Sequence, residues 1–114
     1  MNRTLSLIAL AGMLAVSSAA QAAGNIENGK KLAQTCAQCH GADGNPTDPQ
    51  YPKLAGQYRN YLEHALTEYK AGRRKNAIMA LSVEPLTTQG IADLALYYSS
   101  LPTKLTDLSH PPKK

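Results

Sequence analysis

A chain of 114 residues with a net charge of +4 holds one small domain, and the charge is too mild for a nucleic-acid-binding surface. It has no Trp and no Phe, so its aromatics are six tyrosines: Tyr51, Tyr58, Tyr61, Tyr69, Tyr97 and Tyr98. Two cysteines are too few for a disulfide scaffold or for the four thiolates of an iron–sulfur cluster.

The first predicted element is a leader. Arg3 is followed by an apolar stretch over residues 5–16 and then by small and polar residues containing Ala20-Gln21-Ala22. This pattern predicts a secretory signal peptide over residues 1–23, cleaved near Ala22/Ala23, with export to the periplasm. The apolar run is too short to span a bilayer, and no cysteine follows it to carry a lipid. The alternative is a buried N-terminal helix. Without Arg3 the net charge is +3.

A helix is predicted from residue 26 to residue 40, with Asn25 as its N-cap and Gly29 inside it. Glycine is costly there, so it marks either a close helix crossing or a tolerated exposed site. The end of this helix reads Cys36-Ala37-Gln38-Cys39-His40, the C-x-x-C-H signature of covalent haem attachment. Two thiols three residues apart on one helical turn can each reach a vinyl group of one porphyrin. The next residue, His40, is then delivered beneath the ring as an axial iron ligand. A thioredoxin-like dithiol would need a βαβ pattern, and this chain shows no convincing strand. Structural zinc would need two more closely spaced ligands, yet His64 and His110 lie far apart. A simple Cys36–Cys39 disulfide remains an alternative.

Residues 41–56 are dense in Gly and Pro and read as irregular chain. A second helix is predicted over residues 57–71, where Tyr58, Tyr61, Leu62, Ala65, Leu66 and Tyr69 recur at helical spacing before Gly72. Residues 73–86 show no sustained period and read as a second loop. Loops this long in a small domain are usually functional, and wrapping a haem would order both. A third helix is predicted from residue 89 or 90 to residue 101, with Thr87 or Thr88 as cap and Pro102 as stop. The domain thus covers residues 24–102, and a loosely ordered tail covers residues 103–114. A core of Leu, Ile, Ala and Tyr alone would be marginal at this size, and a covalent porphyrin would serve as a staple.

With leader cleavage removing Met1 and Met13, Met79 is the one methionine left to take the second axial position. His64, read as facing solvent in mid-helix, and His110, in the tail, are its rivals; the remaining alternative is an open site or a plain packing role for Met79.

The chain resembles the class I c-type cytochromes, in particular their small bacterial periplasmic branch. The resemblance rests on residues 36–41 (CAQCHG), residues 51–57 (YPKLAGQ), Arg74 with Asn76 and Met79, residues 91–95 (IADLA) and residues 97–102 (YYSSLP), and it spans the mature chain. It implies an all-α cytochrome c fold of three main helices around one haem, with first and last helices crossing closely and one haem edge exposed. It also implies His/Met ligation with a fairly high reduction potential, and a Pro52 carbonyl that accepts a hydrogen bond from His40. Gly90 departs from the family, whose members tend to carry an acidic residue there, and this puts the helix start in question.

Two filled axial positions leave no site for substrate, so the expected function is one-electron transfer between redox proteins by a monomer, without catalysis. A peroxidase or gas-binding role would require that Met79 not ligate. A haem subunit of a larger oxidoreductase is the other alternative. Lys70, Arg73, Arg74 and Lys75 form a basic cluster that reads either as a docking charge for transient partners or as an ordinary helix end.

Overall fold

In the computed structural model, residues 23–103 are described. The predicted leader lies outside them except for Ala23, and the predicted tail lies outside them beyond Thr103. Four helices are present, α1 (Ile26–His40), α2 (Arg59–Lys70), α3 (Ala77–Val83) and α4 (Thr88–Ser100), and the described residues contain no strand. No helix among them is long and apolar enough to cross a membrane.

Two of the helices begin at caps that the sequence names. Asn25 caps α1 by accepting the N–H of Asn28 at 2.9 Å, and Gly41, with φ of 82°, ends it. Thr87 caps α4 by accepting the N–H of Gly90 at 3.0 Å. The helix therefore starts one residue before the earliest predicted position, and Gly90 sits inside its first turn. α2 starts two residues later than expected, since Tyr58 remains extended. The correction of substance is α3. Residues 73–86 were expected to be irregular, but Asn76 nucleates a seven-residue helix within them by accepting the N–H of Met79. Two turns are too short to show a period.

α1 and α4 cross at close range, as the resemblance implies. A Cβ on Gly29 would overlap the main-chain carbonyl of Asp93 and come within 2.8 Å of the Cβ of Tyr97. Only glycine allows that approach. Across the same crossing Asp93, 1 % exposed, accepts hydrogen bonds from the N–H of Asn25 at 2.7 Å and from Asn28 Nδ2 at 2.6 Å, and within α4 it accepts a third from Gln89 Nε2 at 2.7 Å. Burial pushes its carboxyl up, but the bonds from Asn28, Asn25 and Gln89, with the nearby charge of Arg59, hold it below the ordinary value.

The core gathers Ala33 of α1, Leu62 of α2, and Leu94, Ala95 and Tyr98 of α4, flanked by Leu32, Leu54, Leu66 and Leu101. The glycine-rich loop is ordered by its backbone. The carbonyl of Gly44 accepts the N–H groups of Leu54 and Ala55, and the N–H of Gly56 donates to the Tyr98 carbonyl at 2.8 Å. These bonds fold residues 44–56 back over the end of α1 and against α4.

Candidate functional site

The last turn of α1 presents Cys36, Cys39 and His40 together, because side chains three and four residues apart share one helix face. Both thiols are free and half-buried. Cys36 Sγ lies 3.9 Å from the Leu32 carbonyl, which its S–H can approach as a weak donor. Burial, foremost, pushes the Cys36 thiol up, and the Tyr98 hydroxyl lies beside it. The Tyr51 hydroxyl lies beside Cys39, and a thiolate charge there would push the phenol up. Each thiol thus has a tyrosine neighbour.

His40 is 7 % exposed, and its ring is fixed from two sides. Nδ1 lies 2.8 Å from the Pro52 carbonyl. A carbonyl only accepts, so Nδ1 carries the proton and Nε2 keeps its lone pair for a metal. Tyr51 meets the imidazole edge-on, with centroids 6.3 Å apart. The ordering of residues 44–56 by backbone bonds is what brings Pro52 to this place.

These groups open into a cleft of about 400 Å³. Its walls are mostly apolar, with Leu54, Leu62, Leu66, Leu94 and Ala95 among them, and Met79 enters from α3. His64 is exposed and does not line the cleft; His110 lies outside the described residues. At its rim Arg74 stacks over the Tyr69 ring, 4.8 Å from the centroid, and reaches the Tyr61 hydroxyl. The hydroxyl of Tyr98 is buried against the cleft and has no hydrogen-bond partner among the described residues. Burial, foremost, pushes it up.

The donor set fits a haem. An apolar slot suits the porphyrin, paired thiols suit its vinyl groups, and a buried imidazole with a free Nε2 suits its iron. It does not fit zinc. Among the described residues no three His, Cys, Asp or Glu side chains are placed to hold one metal ion.

Residues 26–102 match the family model described as cytochrome c. The chain belongs to the cytochrome c family. It is 38% identical over 109 residues to cytochrome c4 from Stutzerimonas stutzeri, covering 88% of this chain and 51% of that protein. It is 42% identical over 81 residues to cytochrome c-554(548) from Halomonas halodenitrificans, covering 68% of this chain and 98% of that protein. Among solved structures, reduced recombinant cytochrome c4 from Pseudomonas stutzeri superposes with a TM-score of 0.67 at 39% identity, over 70% of this chain and 47% of that one. The chain spans about half the length of the cytochrome c4 relatives it matches. As a family member with paired thiols before His40, the chain carries one covalently bound haem c.

The structure brings Cys36, Cys39, His40, Pro52 and Met79 to one cleft. It divides the basic cluster. Arg73 turns to Glu68 in a two-pronged ion pair, with contacts of 2.6 and 2.9 Å. Lys70 donates to the Glu84 carbonyl at 2.7 Å. Arg74 is the member of the four that lines the cleft. Sequence reasoning missed the Asp93 network and the unpartnered Tyr98 hydroxyl; for Asp93 the available signal was Gln89 four residues before it on one helix face.

Proposed function

We propose that this cytochrome c is a one-electron carrier whose haem iron is held between His40 and Met79. The observation that carries the reading is that Met79, from α3, and His40, from α1, line the same apolar cleft. The haem supplies a reversible one-electron change at iron. The chain's part is to hold and insulate. Cys36 and Cys39 would anchor the ring as thioethers, the Pro52 carbonyl keeps His40 in the tautomer whose Nε2 can bind a metal, and Met79 would supply the second iron ligand. With His40 and Met79 both binding, no position on the iron would be left for substrate, and the domain would exchange electrons with other redox proteins through transient contacts. In this reading residues 1–23 are a leader removed on export to the periplasm, residues 24–102 form the working domain, and the mature protein is a monomer.

The test is Met79→Ala in the holoprotein. Thioether ligation favours reduced iron, so the variant should show a lower reduction potential and lose the weak red-end absorption of a ferric His/Met haem. An unchanged potential and spectrum would rule out Met79 as the ligand. A wild-type protein with a high-spin spectrum would favour the gas-binding or peroxidase alternative.

A further inference from the structure

Met79 sits on the shortest of the four described helices, and side chains hold that helix at both ends. At its start Asn76 Oδ1 accepts the backbone N–H of Met79 itself at 3.0 Å. At its end the carbonyl of Glu84, the C-cap residue, accepts Lys70 Nζ from the end of α2. Apolar packing anchors α3 at one point. Val83 is the buried residue of α3, whereas Ile78 and Leu81 are 66% and 75% exposed. A two-turn helix has no stability of its own in water, so its placement depends on the burial of Val83 and on these two bonds.

We propose that Asn76 is a positioning residue for the bond between Met79 and the iron, with Lys70 steadying the same helix from its other end. The proposal deepens the reading of Met79 as the second axial ligand and rests on it. The capped N–H belongs to the residue whose side chain carries the sulfur. Fraying of the first turn of α3 therefore displaces the sulfur directly, whereas fraying of any other helix start does not. Losing the cap raises the fraction of molecules in which the sulfur has left the iron.

Titrating the purified ferric holoprotein with imidazole reads that fraction, since imidazole binds iron only where the sulfur has left. Its apparent affinity scales with the population of the open form. Asn76→Ala should raise that affinity by about fivefold, the factor equivalent to a typical lost N-cap. Asn76→Ser keeps an accepting oxygen and should stay near the wild type. Lys70→Met should give a smaller rise, about twofold. Thr87→Ala removes the same kind of cap from α4, which carries no proposed ligand, and should lower thermal stability at wild-type imidazole affinity. Wild-type affinity in Asn76→Ala, or an equal rise in Thr87→Ala, would overturn the proposal. Met79→Ala separates the two readings. If it binds imidazole no more tightly than the wild type, the ligand assignment fails and the positioning role fails with it. If it binds far more tightly while Asn76→Ala does not, the positioning role alone is wrong.

Discussion

Adding a single methyl group to either of two helical glycines should have opposite effects on stability. Alanine is favoured over glycine in a helix by about 1 kcal/mol. At Gly29 that gain meets an obstacle that cannot move, because the new Cβ would overlap the Asp93 carbonyl and press on the Tyr97 Cβ at 2.8 Å. Overpacking costs about 1–3 kcal/mol, and contact with main-chain atoms of α4 places this case at the upper end. The net loss is about 2 kcal/mol, or about 10 °C in Tm for a domain of this size. At Gly90 the nearest atoms are the Leu32 Cδ1 at 3.3 Å and the Thr87 Oγ1 at 3.4 Å. A leucine methyl can rotate away, so most of the propensity gain survives and Gly90→Ala should raise Tm by about 3 °C. Thermal unfolding of the two holoproteins, followed by far-ultraviolet circular dichroism, gives the comparison. Shifts in the same direction would refute the argument that the α1–α4 crossing distance, rather than propensity, decides the outcome.

Asp93→Asn should destabilise the holoprotein at neutral pH by about 2 kcal/mol, since the buried carboxylate is replaced by an amide facing three donors. The folded carboxyl titrates below its ordinary value of 3.8, so its contribution is complete above that pH and fades as pH falls through the lower folded-state value. Chemical denaturation should therefore show the gap between wild type and variant narrowing in acid, and a constant gap would remove the carboxylate from the account. Arg74→Gln should flatten the ionic-strength dependence of electron transfer to an acidic redox partner in stopped-flow measurements, while Arg73→Gln, whose charge is already matched by Glu68, should change it less. Equal slopes for both variants would place docking elsewhere.

The parts of this fold legible in the sequence are those that repeat or are punctuated. The apolar spacing of Leu62, Ala65 and Leu66 fixed α2 within two residues, and Asn25 and Thr87 marked the starts of α1 and α4. The haem attachment site was legible for a different reason. Covalent chemistry demands two thiols and an imidazole at fixed spacing, and chance seldom supplies that. α3 was illegible because it has too few residues to show a period and is held by bonds from outside its own apolar pattern, at Asn76 and Lys70. The fate of the basic cluster was equally hidden. Consecutive residues in a chain reversal point in unrelated directions, and only the fold shows that Arg73 meets Glu68 while Arg74 lies over the Tyr69 ring.

The Asp93 network shows how the helix crossing and the haem cleft depend on one another. Asp93, between Ile91 and Leu94, is buried by the helix that Gly29 lets approach. The same close approach sets Leu94, Ala95 and Tyr98 of α4 beside Cys36 of α1. Two bonds to the Asp93 carboxylate, from the Asn25 N–H and Asn28 Nδ2, fix the position of α1 at its N-terminal end, and the bond from His40 to Pro52 fixes it at its C-terminal end. Between those two ends the core side chains are small or half-polar, with Ala33, Ala95 and Tyr98 in place of the missing Phe and Trp. A core of that kind leaves space along α4 for a flat apolar group. Polar bonds at both ends of α1 therefore hold the cleft walls where the thiols and the imidazole can share one ring.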